Sequence, residues 1–102
     1  MAISYLEDFS AGGSITPIMK AGLLGDAYSE QGDNDKALSF YKKAANTDKV
    51  DVLSAVYLKK YAMLSEHMGN TADALAAYKE LKSEYPLTPS GRDIDKYIAR
   101  LQ

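Results

Sequence analysis

The segment GDAYSEQGDNDKALSFYKKAA, Gly25 to Ala45, sets the small residues Gly25, Gly32, Ala37 and Ala44 between the bulky Tyr28, Phe40 and Tyr41. The arrangement returns downstream. GNTADALAAYKELKSEYP (Gly69 to Pro86) lies over GDNDKALSFYKKAANTDK (Gly32 to Lys49) without a gap, pairing Gly32 with Gly69, Ala37 with Ala74 and Tyr41 with Tyr78. A partial third copy stands at the start, where AISYL from Ala2 matches ALSFY from Ala37. Self-similarity at a fixed period marks a fold that stacks one small unit on copies of itself.

Local punctuation assigns that unit to helices. Thr16-Pro17 reads as an N-cap followed by proline at the first helical position, and the helix it opens runs to about Gln31. Gly32 stops it, and Asp33 or Asn34 caps a second helix that ends near Asn46. The polar run NTDKVD, Asn46 to Asp51, connects to a third helix from about Val52 to Met68. Gly69 ends that one, Asn70 or Thr71 opens a fourth, and Pro86 closes it. Thr88-Pro89 opens a fifth, with Ile94, Tyr97, Ile98 and Leu101 as its apolar stripe. Ala2 to Phe9 is a short helix ahead of the breaker AGGS. Two antiparallel helices cross closely only where small side chains let the backbones approach, with an aromatic a turn away filling the space beside them. The glycine between them supplies the left-handed conformation of a tight helix stop.

This pattern resembles the tetratricopeptide repeat, a helix–turn–helix of about 34 residues with the signature W-x2-L-G-x2-Y…A-x3-F…P. Leu24-Gly25, Tyr28, Gly32, Ala37, Tyr41 and Ala44 follow it once, with Ala21 and Lys49 in the W and P slots; Gly69, Ala74, Tyr78 and Pro86 follow it again, with Leu58, Tyr61-Ala62 and Ser65 in place of W, L-G and Y. The resemblance implies an all-α solenoid of helical hairpins, a right-handed superhelix closed by a capping helix. Residues 1–13 would be the second helix of a partial repeat plus a hinge, 14–49 and 50–86 the two full repeats, and 87–102 the cap. The run from GDAYSEQGDNDKAL to GRDIDKYIARL is also similar to Gram-negative bacterial repeat proteins related to the ancillary subunit of the SecYEG translocon. That likeness implies a C-terminal fragment of a periplasmic protein anchored to the inner membrane by a preceding helix, with a cytoplasmic setting as the alternative.

Composition narrows function. The 102 residues carry 46% apolar and 25% charged side chains and a net charge of −2, with no basic block, so no nucleic-acid surface is expected. There is no cysteine and no apolar run near the ~20 residues of a membrane span, so the chain itself is not expected to contact a membrane. His67 is the sole histidine and has no partner at metal-ligand spacing, Gly12-Gly13 lacks the lysine of a phosphate loop, and Ser10, Ser29 and Ser54 lack a His/Asp setting. Asp26 and Glu30 share a helix face, where solvated carboxylates are the ordinary outcome. Neither an enzyme nor a cofactor site is expected.

What the resemblance offers is a concave groove lined by the first helix of each repeat, taking a protein or peptide partner. Its candidate lining is Met19, Gly22, Asp26, Ser29 and Glu30 in the first repeat and Val56, Lys59, Met63, Glu66 and His67 in the second. The methionines are adaptable contacts, and the carboxylates would favour basic segments. Lysines and asparagines that hold a peptide C-terminus elsewhere in the family are represented only by Lys59. The alternative is a solenoid segment that extends, caps or self-associates, with a homodimer through residues 2–9, whose Ile3, Tyr5, Leu6 and Phe9 would lack a covering helix.

Overall fold

Thr16 adopts an extended backbone, and its side chain accepts a hydrogen bond from the Met19 N–H at 3.3 Å while Pro17 occupies the first helical position. From that cap grows α1, Pro17–Glu30, in a computed structural model that describes residues 16–47 and 51–102. The remaining α-helices are α2 (Asn34–Asn46), α3 (Asp51–His67), α4 (Thr71–Glu84) and α5 (Asp95–Leu101), with a 3-10 turn at Pro89–Gly91. Among the described residues there is no strand, and the fold is an all-α set of helical hairpins of the tetratricopeptide type. The expected helix at Ala2 to Phe9, its hinge and the middle of the NTDKVD connection lie outside the described residues.

Both hairpin turns are built alike. Gly32 and Gly69 stand at φ 82° and 84°. At each, the glycine N–H and the next N–H reach back to helix carbonyls: Gly32 to Ser29 and Asp33 to Tyr28, then Gly69 to Glu66 and Asn70 to Ser65. This double closure satisfies carbonyls a helix end leaves free, and it requires a residue indifferent to positive φ. Asp33 then caps α2 by accepting from the Lys36 N–H at 3.3 Å, whereas Asn70 makes no such bond to α4.

The repeated small residues sit at the crossings. Ala37, Ala44, Ala62 and Ala74 are wholly buried. A side chain on Gly25 would meet the Tyr41 ring at 2.6 Å, so only glycine lets α1 lie this close to α2. Tyr41 and Tyr78 are buried at matching places, and one continuous core joins Ile18 to Ile94 through both hairpins. Ser54 and Ser65 are buried beside that core, and neither hydroxyl has a hydrogen-bond partner among the described residues.

One expectation is corrected. Thr88-Pro89 opens a single 3-10 turn, and the last helix starts only at Asp95. The Thr88 hydroxyl donates to the Tyr85 carbonyl at 2.8 Å and accepts from the Gly91 N–H at 3.0 Å, which tightens the turn. Gly91 is packed so closely that a Cβ there would lie 1.8 Å from the Tyr85 carbonyl oxygen. Arg92 is then extended and Asp93 left-handed at φ 56°, so the chain re-aims before α5 begins. The shortened helix still covers α4: Ile94 is buried, Tyr97 stacks on Tyr78 at 5.0 Å, and Arg92, Asp93, Asp95 and Lys96 face water.

Candidate functional site

Helices α1 and α3 are the first helices of the two hairpins, and α5 follows α4 as α3 follows α2, because α2 and α4 each return the chain to the same side. The expected lining residues of this first-helix face are distributed by the packing. Met19, Glu30, Met63 and His67 are exposed, and Asp26, Ser29, Val56, Lys59 and Glu66 are half-buried. Gly22 does not line a groove. It is buried under the ring of Tyr57, and a Cβ on it would lie 2.0 Å from the ring carbon Cζ.

Asp26 and Glu66 are taken up inside the protein. One oxygen of Asp26 accepts from the Tyr41 hydroxyl at 2.6 Å and from Lys60 Nζ at 2.8 Å. One oxygen of Glu66 accepts from the Tyr78 hydroxyl at 3.1 Å and from the Arg100 guanidinium at 2.7 Å. The two knots have one design. A carboxylate on a first helix receives a tyrosine from the following second helix and a cation from the next first helix, 34 residues along the chain in both cases. Each knot fastens one unit to the next.

The aromatic stacking follows the same logic. Tyr41 stacks on Tyr57 at 6.4 Å across the first joint, and Tyr78 on Tyr97 at 5.0 Å across the second. The α3 run Tyr57-Leu58-Lys59-Lys60 is echoed in α5 as Tyr97-Ile98-Ala99-Arg100, tyrosine and cation each in the same role. Thus α5 stands to α4, through Tyr97 on Tyr78, as α3 stands to α2 through Tyr57 on Tyr41. Asp95 differs tellingly: it is exposed and paired with Lys82 at 2.6 Å, while its counterpart Ala55 in α3 is fully buried. Lys60, Tyr97 and Arg100 are the site residues that the repeat motif leaves unmarked. The short tyrosine-x-x-cation echo is the signal that points to them.

Electrostatically the joints protect their tyrosines. Burial, then the hydrogen bond to Asp26, pushes the Tyr41 phenol far above its usual range; burial, then Glu66, does the same to Tyr78. Burial and the nearby Asp26 charge also raise Tyr57. The carboxylates hold these protons in place by accepting from the neutral phenol, so the groups stabilise structure without being poised for proton transfer near neutral pH.

The second joint is richer in cations than the first. Lys59, Lys96 and Arg100 lie 5.4, 5.4 and 5.1 Å from the centre of the Tyr97 ring. At the first joint, among the described residues, only Lys60 stands near Tyr57, at 5.6 Å, and Asp26 neutralises it. Among the described residues no three carboxylate or imidazole side chains converge as a metal site would need, and His67 stays on the surface. No described helix is long and apolar enough to cross a membrane.

Two family models match the chain, both described as a tetratricopeptide repeat, one over residues 22–51 and the other over residues 60–88. No curated protein and no solved structure matches it.

Proposed function

Because the chain belongs to the tetratricopeptide repeat proteins, we propose that it is a non-catalytic module taking up a protein or peptide segment along the face of α1, α3 and α5. Repeats of this kind mediate protein–protein interaction and scaffolding. The observation that carries the proposal is where apolar surface stays uncovered. Met19 is 41% exposed, Val52 54% and Met63 48%, all on first helices; Leu87, at 86%, lies in a turn. Large exposed apolar residues occur on neither α2 nor α4. Adaptable methionines beside partly buried polar groups suit the uptake of varied side chains.

The test uses methyl-labelled methionine and leucine with a pool of short peptides. Binding at this face shifts the Met19 and Met63 methyl signals and leaves the Leu87 methyls still. Shifts spread evenly over all methyls, or confined to Leu87, would refute the assignment. As part of the same proposal, the likeness of GRDIDKYIARL to translocon-associated bacterial repeat proteins supports a periplasmic setting, which fractionation of a tagged chain would test.

A further inference from the structure

We infer that the segment bound on this face is acidic, and that its Asp or Glu side chains seat against the cations around Tyr97; this rests on the reading that the first-helix face binds a protein segment. Three observations lead there. First, two of the three lining carboxylates that would have drawn a basic partner are already committed, Asp26 to Tyr41 and Lys60, Glu66 to Tyr78 and Arg100, and the third, Glu30, stands exposed at the far end of α1. Second, the second joint holds more positive charge than it uses. Lys59, Lys96 and Arg100 gather on one ring, and among the described residues only Arg100 of the three pairs with a carboxylate.

Third, the first joint shows the surplus is not structural. It has the same stacked tyrosines and the same carboxylate knot, yet Lys60 is its single cation among the described residues and Gly22 stands where the repeat register puts Lys59. The extra lysines therefore do something other than fasten the units. Cations gathered within 5.4 Å of one ring centre act as one patch, since charges screen over about 8 Å at physiological salt. Such a patch steers and orients an anionic segment, even in a chain whose net charge is −2. Exposed Met63, on α3 between Lys59 and Glu66, provides an apolar shelf beside the cations. The matching ligand alternates carboxylate and apolar side chains.

The experiment titrates the protein with four peptides, read by NMR at Met63 and Tyr97. One is an end-blocked peptide of alternating Glu and Leu, one its Gln analogue and one its Lys analogue. The fourth is a neutral peptide whose single anion is a free C-terminal carboxylate. The blocked acidic peptide should bind at least tenfold tighter than the Gln analogue. The double variant Lys59→Gln/Lys96→Gln should abolish that preference with an unchanged unfolding midpoint, whereas Lys43→Gln/Lys79→Gln, on α2 and α4, should preserve it. Equal binding of the Glu and Gln peptides, or a preference that survives loss of Lys59 and Lys96, overturns the inference. Preference for the Lys peptide, or for the free C-terminus, overturns it and leaves the groove reading standing. Failure of every peptide to shift Met19 or Met63 overturns both.

Discussion

Alanine in place of Gly22 would put a Cβ 2.0 Å from Cζ, 2.2 Å from Cε1 and 2.5 Å from the hydroxyl of Tyr57. The ring would have to retreat by more than an ångström, and Tyr41, stacked on it at 6.4 Å, stands in its way. Overpacking of this kind costs about 1–3 kcal/mol, and the hindered ring argues for the upper end. Against that, replacing glycine by alanine inside a helix gains about 1 kcal/mol. Gly22→Ala should therefore destabilise by about 2 kcal/mol, lowering the midpoint of thermal unfolding by roughly 10 °C in a domain this size. In a Tyr57→Leu background the outer ring atoms are gone, and the same change should stabilise by about 1 kcal/mol. The coupling is then about 3 kcal/mol with a reversal of sign. Urea unfolding followed by helical circular dichroism on the four proteins measures it. Additivity within about 0.5 kcal/mol, the behaviour of sites that do not touch, would show that Tyr57 does not lie over Gly22.

At the hairpin turns, Gly32→Ala and Gly69→Ala should each cost about 1–2 kcal/mol by melting, although open space surrounds both positions, because φ is 82° and 84° there; no loss would mean the turns are not left-handed. Ser54→Ala and Ser65→Ala should each raise stability by about 1 kcal/mol, since a buried hydroxyl without a partner is removed. A loss of similar size in urea unfolding would reveal a partner the geometry lacks. With Tyr41 and Tyr78 raised in the folded chain above the usual phenol value of 10.0, the native state holds those protons longer than the unfolded one. Their contribution is complete below pH about 10 and is lost as pH rises beyond it. Urea midpoints should fall there, and less steeply in Tyr41→Phe/Tyr78→Phe; parallel profiles for the two proteins would refute the knots.

The hairpins were readable because their determinants are local. Gly32, Gly69, Thr16 and Asp33 act within a few residues of themselves, and the alanines mark crossings whose partners lie one helix away. The joints hid for a complementary reason. Asp26 and Glu66 occupy different places in the repeat register, so aligning the repeats does not bring them together, and their cations come from 34 residues on. Read alone, each looks like a solvated carboxylate available to a ligand. The start of the last helix went astray because Thr88-Pro89 is equally good chemistry for an α-helix and for a 3-10 turn. Gly91, packed against the Tyr85 carbonyl, and Asp93, left-handed at φ 56°, decide between them.

The paired knots also have an optical consequence. The chain has eight tyrosines and no tryptophan, so its ultraviolet emission comes from phenols alone. A phenol hydrogen-bonded to a carboxylate emits weakly, because the excited hydroxyl is far more acidic and its proton is drawn toward the acceptor. Tyr41 against Asp26 and Tyr78 against Glu66 are thus dimmed wherever the units are fastened. Loosening either joint, by ligand, load or denaturant, should brighten the protein before its helices melt, a built-in gauge of the coupling between repeats that needs no attached dye.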